Sequence, residues 1–266
     1  MKQRVISAII MIALIIPIFL IGGNVFNIAI LLIAMLGLKE YLDIKETKKE
    51  LPIFIKLVGY LFIPLILFSL NVNSNLEMIV DFRVITSLFM FLLLPVVLYH
   101  NRETYSINDA NYVFMGVMFL GIAMSLFNTY FEMNRNLLLY LILITVMTDT
   151  FAYITGMLVG RHKLLESVSP KKTWEGLFGG TFFGVFIASC FYITVVDSSI
   201  SLPVLIFSTL VLSIIGQMGD LFFSAIKRYF GKKDFSNLMP GHGGILDRLD
   251  SIIFVLIAYS FFLIIL

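Results

Sequence analysis

Charge is scarce in this chain. Its 266 residues include 19 Lys and Arg and 17 Asp and Glu, 14% in all, against about 25% in a typical soluble domain. Hydrophobic residues make up 59% and the mean hydropathy is +0.99, which excludes a soluble globular protein. Cysteine is nearly absent: Cys190 stands alone, so neither an intrachain disulfide framework nor a cysteine-based zinc site can form. The three histidines, His100, His162 and His242, are too scattered to suggest zinc. No tract of Pro, Ser or charge is long enough for disorder. Neither the G-x-x-x-x-G-K-[ST] phosphate loop nor the dinucleotide motif G-x-G-x-x-G occurs. No related halves of the kind common in transporters are visible. The net charge of +2 is near neutral and carries no meaning until the charges are placed.

What the chain does have is apolar runs of the length a bilayer demands, roughly 17–25 residues. Nine are found, near 5–22, 25–38, 53–70, 84–98, 112–131, 137–159, 177–196, 202–223 and 252–266. The first follows Lys2 and Arg4, yet its core is too long for a signal peptide and no A-x-A-like site follows. It is therefore taken as a span. Lysine and arginine mark cytoplasmic loops. A cytoplasmic N-terminus and nine alternating spans put every Lys and Arg inside except Arg83 and Arg135. The expected fold is an all-α, polytopic membrane protein of about nine helices. Residues 1–136 hold about five spans without readable chemistry. Residues 137–266 form a second half with polar cytoplasmic loops at 160–176 and 227–250.

The few polar residues of that second half sit where they are unfavourable. Asp149 lies in mid-run, and Asp220 lies near the cytosolic end of its run. An ionised side chain at the bilayer centre costs about 2.5–3.5 kcal/mol on insertion scales and usually faces a partner, an ion or another helix. For Asp149 a plain interhelical hydrogen bond is the alternative. Asp220, Ser224, Lys227 and Arg228 follow at i, i+4, i+7 and i+8, one polar stripe on a helix. It has an acid deep down and cations at the mouth, which suits a metal ion with a phosphate above it. Asp247 and Asp250 share a helix face at i, i+3. Such a pair repels unless a cation such as Mg²⁺ lies between, or unless both are solvated at a helix start.

Two loops add anion-binding character. In Ser169-Pro-Lys-Lys-Thr-Trp-Glu-Gly176, Ser169 reads as an N-cap and Pro170 as the first helical residue. Lys171 and Lys172 would then join that helix N-terminus in holding an anion. In Pro240-Gly-His-Gly-Gly244, glycine allows positive φ and a nest of N–H groups, unless the segment is an ordinary turn. The spacings Gly156/Gly160 and Gly176/Gly180/Gly184 read as close helix packing. Trp174 and most tyrosines suit an aromatic belt. Carboxylates, cations, a helix start and a glycine loop together are the inventory of phosphoryl or nucleotidyl transfer.

The 27 residues from Ser224 to Asp250, SAIKRYFGKKDFSNLMPGHGGILDRLD, resemble the motif of the phosphatidate cytidylyltransferase (CDP-diacylglycerol synthase) family at every polar position. Met239 stands where Leu, Ile or Phe is usual. Ser169–Gly176 and the pattern Asp149, Ala152, Tyr153, Gly156, Gly160 are similar to that family as well. The resemblance is strong from 149 to 250 and extends to the first 136 residues only as membrane spans. It implies the reaction of CTP with phosphatidate to give CDP-diacylglycerol and pyrophosphate with Mg²⁺, and is compatible with a second cation. Asp220 and Asp247 are the expected metal ligands, with Asp250 and Asp149 second. Lys171, Lys172, Lys227, Arg228 and Lys233 are expected to hold phosphates, helped by Ser169, Ser224 and Arg248. His242 with Gly241, Gly243 and Gly244 is expected to cradle pyrophosphate. The chain would act from the cytoplasmic side of the cell membrane, with the lipid bilayer as surroundings and no nucleic-acid partner. A homodimer is one admissible assembly. A CDP-alcohol phosphotransferase-like enzyme is the nearest rival, but its D-G-x2-A-R-x8-G-x3-D-x3-D pattern is missing. An ion-coupled transporter using Asp149 and Asp220 would need polar residues through the full membrane depth, whereas here they cluster at one face.

Overall fold

A computed structural model describes residues 2–69, 71–72, 78–79, 81–99, 103–239, 241 and 243–263. Among them run nine α-helices: α1 (Lys2–Ile21), α2 (Gly23–Glu46), α3 (Ile53–Ser69), α4 (Phe82–Leu98), α5 (Ile107–Met133), α6 (Arg135–Val159), α7 (Trp174–Phe191), α8 (Leu202–Tyr229) and α9 (Leu246–Phe262). Each apolar run thus has its helix. Five of the helices, α2, α5, α6, α7 with its extension, and α8, are long and apolar enough to cross a membrane. The protein is an all-α membrane protein. Its only strands among the described residues form two short antiparallel pairs, β1 (Asn71–Val72) with β2 (Met78–Ile79) and β3 (Lys163–Leu165) with β4 (Ser169–Thr173).

The helix boundaries have local causes. α1 and α2 are separated by Gly22 (φ 67°) and Gly23 (φ 53°), left-handed conformations that only glycine adopts cheaply. α2 runs eight residues past its apolar stretch to Glu46, because Lys39-Glu-Tyr-Leu-Asp-Ile-Lys-Glu46 is rich in helix formers and buries Glu40, Tyr41, Leu42 and Ile44. α5 and α6 are joined by one residue, Asn134, whose side chain accepts the N–H groups of Asn136 (2.9 Å) and Leu137 (3.4 Å). α7 ends in a π-helical turn, Tyr192–Val196.

The molecule divides into two compact units that do not follow chain order. One holds residues 1–128 with 230–248, and the other holds 129–229 with 249–266. The loop 230–248 therefore folds with the N-terminal helices. In that first unit, Tyr41 and Tyr112 stack with ring centroids 4.3 Å apart, and Asp109 is held by Lys45 (2.6 Å) and Lys49 (2.5 Å). Gly37, Gly59 and Gly121 let helices approach within side-chain contact of Leu246, Leu38 and Ile66.

In the second unit the glycine spacings pack α7 against α6. A Cβ on Gly180 would lie 2.5 Å from the Thr148 carbonyl and 2.6 Å from the Ala152 Cβ, and one on Gly176 would lie 2.7 Å from the Ala152 carbonyl. Small residues let backbones approach where apolar side chains gain nothing over lipid. The outward face of α7 carries Phe178, Phe182 and Phe186, each more than 60% exposed. A ladder of buried polar bonds joins α6, α7 and α8: Tyr140 Oη–Thr209 Oγ1 (2.7 Å), Thr148 Oγ1–Ser213 Oγ (2.8 Å) and Gln217 Nε2 to Thr181 Oγ1 (2.8 Å). Gly180→Val should force these helices apart, with the loss of about 1–3 kcal/mol typical of overpacking. A thermal melt in detergent checks this, and an unchanged melting temperature would refute the close packing.

Candidate active site

The acids expected to matter in the second unit lie on three helices: Asp149 on α6, Asp220 on α8 and Asp250 on α9. α9 can approach because α8 is small-sided there. A Cβ on Gly219 would lie 2.8 Å from both the Asp250 carbonyl and the Phe254 ring, and one on Gly216 would lie 3.0 Å from Val255. α9 thus lies close along α8, with Asp250 beside Asp220. Asp220 bears electrostatically on both Asp149 and Asp250. Ser251 Oγ donates to Asp149 Oδ2 (3.3 Å) and its amide to Asp250 Oδ1 (2.8 Å). The crevice beside Asp149, bounded by Thr148, Ser213, Gln217 and Ser251, is too narrow to admit a water molecule.

Two lysines face these acids. Lys172 Nζ lies 2.6 Å from Asp220 Oδ2. The shielded ammonium donates to no other protein atom among the described residues. Two of the three donors on this lysine thus remain for an incoming anion. Lys227 is buried and acts on Asp250. Ser224 Oγ donates to Asp220 Oδ1 (3.2 Å), so the i, i+4 pair of the stripe is bonded along α8. Arg228, exposed at its end, donates from Nε to the Val168 carbonyl (3.2 Å).

The loop before α7 corrects the sequence reading. Ser169 is not an N-cap, and Pro170 does not open a helix. Residues Ser169–Thr173 are β4, with Leu165 opposite Ser169 and Lys163 opposite Thr173. The cap is Thr173, whose hydroxyl accepts the Gly176 amide (3.1 Å). Glu175 closes the hairpin base by bonding His162 Nδ1 (2.6 Å) and the Arg161 amide (3.1 Å). Lys171 and Lys172 therefore project from a strand, where neighbours alternate faces. Lys171 is exposed, while Lys172 is turned to Asp220.

The remaining candidates lie in the first unit. Lys233 and Arg248 are exposed. Gly241 and Gly243 do adopt positive φ, 81° and 84°. Their neighbourhood, however, spends its donors internally: the Gly243 amide bonds the Met239 carbonyl (3.1 Å) and the Gly244 amide bonds Asp247 Oδ2 (2.8 Å). The cradle expected of Gly243 and Gly244 thus has no free amide from either. Asp247 also accepts the Phe235 amide (2.9 Å), so this acid braces its own loop. His242 lies outside the described residues. The residue that the sequence reading missed is Glu40, whose buried carboxylate accepts from Ser236, Ile245 and Leu246. Its partners lie about 200 residues away, and no local pattern announces them.

Among the described residues no three His, Cys, Asp or Glu side chains stand close enough to hold a metal ion. The chemistry of the donors still fits a hard cation. Asp149, Asp220 and Asp250 with Ser224 and Ser251 offer only oxygen, the ligand type of Mg²⁺.

Acids and lysines gathered between the helices of an all-α membrane protein are groups that suit a membrane enzyme handling phosphates. The sequence profile of the cytidylyltransferase family matches residues 2–266, and the chain belongs to that family. It is 37% identical over 257 residues to a phosphatidate cytidylyltransferase of Staphylococcus haemolyticus (strain JCSC1435), covering 96% of each chain. It is 36% identical over 257 residues, with the same coverage, to that of Staphylococcus aureus (strain COL). The figure is 36% over 258 residues for that of Staphylococcus epidermidis (strain ATCC 12228 / FDA PCI 1200).

Proposed function

We propose that the chain transfers the cytidylyl group of CTP to phosphatidate, releasing pyrophosphate and leaving CDP-diacylglycerol in the membrane. The observation that carries this reading is the likeness to phosphatidate cytidylyltransferases along 96% of both chains. It is supported by the lysine-faced acids of α6, α8 and α9. A phosphate oxygen of the lipid attacks the α-phosphorus of CTP in line. The new P–O bond forms as the bond to pyrophosphate breaks. That nucleophile is already ionised near neutral pH, so no strong base is required, and catalysis consists of positioning and charge neutralisation. Lys172 and Lys227 hold phosphate oxygens from the protein interior, and Lys171 and Arg228 do so from the surface. Lys233 and Arg248 are assigned to phosphates on their place in the motif.

Mg²⁺ is the cofactor of this reading. Asp220, with Asp250 and Asp149, would hold it, and bound Mg²⁺ supplies neutralisation of the charge on the transferring phosphates. Asp247 is retained as a further acid on the strength of the motif. Nine spans, a cytoplasmic N-terminus and a cytoplasmic site are supported by the distribution of Lys and Arg. The test uses membranes containing the protein with labelled CTP, phosphatidate and Mg²⁺. A labelled product extractable with lipid is expected, and its absence with folded protein would overturn the proposal.

A further inference from the structure

We infer that Glu40, in the N-terminal part of the chain, is a positioning residue for cytidylyl transfer, clamping the motif loop and the start of the last helix; this rests on the reaction proposed above. Glu40 is only 4% exposed, and a buried carboxylate is strongly unfavourable unless donors surround it. Here three do. Oε1 accepts from Ser236 Oγ (2.6 Å) and the Ile245 amide (2.9 Å), and Oε2 accepts from the Leu246 amide (2.9 Å). One carboxylate thus ties both ends of the segment 236–246.

The second half of that grip does the work of a helix cap. The first amides of a helix lack partners within it and need an oxygen from elsewhere. Just before α9 stands Ile245, whose side chain has none. Glu40 supplies it from another helix, and its negative charge lies at the helix end where the dipole favours it. Gly244 makes the approach feasible: a Cβ there would lie 2.5–2.7 Å from the Glu40 carboxylate. Gly37, one turn earlier on α2, sits against the Leu246 side chain at 3.4 Å from a would-be Cβ. The polar grip is therefore backed by packing. Asp247, the next residue, holds the amides of Phe235 and Gly244. Two carboxylates thus fix this loop, and the one on α2 sets where α9 begins. A shift at Glu40 displaces the first turn of α9, which carries Asp247.

The experiment compares wild type, Glu40→Gln and Glu40→Ala as purified full-length proteins, by hydrogen–deuterium exchange and by initial rates with CTP and phosphatidate. The Gln variant keeps the shape but turns an amide group against a backbone donor. Exchange across 243–247 should rise about 10- to 100-fold, the effect of one charge-assisted hydrogen bond lost. The kcat per folded molecule should fall by a similar factor, with both KM values within about threefold. Unchanged exchange, or normal kcat per folded molecule with only the yield reduced, would overturn the proposal. If the Ala variant does not fold, Ser236→Ala joins the Gln variant: it should lower kcat less than Glu40→Gln, and full kcat in both would refute the clamp. A wild type that transfers no cytidylyl group overturns the underlying reaction, while the exchange measurement still judges the clamp itself.

Discussion

Asp220→Asn is expected to lose about 100- to 1,000-fold in kcat/KM, or about 3–4 kcal/mol of transition-state stabilisation, with the protein still folded. Asp220 is the acid with the most contacts in the candidate site. It pairs with Lys172 at 2.6 Å, accepts from Ser224 at 3.2 Å, and bears on Asp149 and Asp250. Asparagine keeps the size and one acceptor for Ser224 but removes the charge that holds Lys172 and that a cation would need. The Ser224 bond is thus a control built into the variant. Steady-state rates over a Mg²⁺ series, beside a thermal melt, provide the measurement. Activity within about fivefold of wild type at saturating Mg²⁺ would remove Asp220 from the catalytic machinery.

The second large effect is expected at Asp247, where two roles can be separated. Its Oδ2 accepts the amides of Phe235 and Gly244, a bracing role that asparagine can reproduce through its carbonyl oxygen. Neutralising charge is a role that asparagine cannot fill. Asp247→Ala should lose both the brace and the turnover. Asp247→Asn should recover the melting temperature but remain down by about 100-fold or more in kcat. A Asn variant with restored turnover would reduce Asp247 to a loop brace and leave the charge to Asp149, Asp220 and Asp250.

Hydrophobic run length was enough to locate every α-helix among the described residues, although only five of them are long and apolar enough to cross a membrane. Run length also misplaced ends: α2 continues to Glu46 on helix propensity and burial, which a hydropathy scan does not register. The Ser169-Pro170 segment shows a different limit. Ser before Pro suits a helix start and an edge strand alike, and the choice was made by pairing with Lys163–Leu165 and by Thr173 taking the cap. The acids of the candidate site were legible as candidates because charge inside an apolar run is conspicuous. The glycines at 241 and 243 were legible as turn formers, but their neighbours' amides were not legible as already spent. Glu40 was invisible, since an acid beyond the end of an apolar run looks like a solvated one until its distant partners are seen.

The one-residue link at Asn134 bears on how this protein can be handled. A chain that passes between two long helices through a single capped residue has no slack. A tag or a protease site inserted there must break the cap on Asn136 and Leu137 and separate the ends of α5 and α6. The β3–β4 hairpin offers the opposite: its exposed 166–167 turn lies outside both helices that flank it. Reporter groups belong at that turn, and a library of random insertions should be depleted around 134 and enriched there.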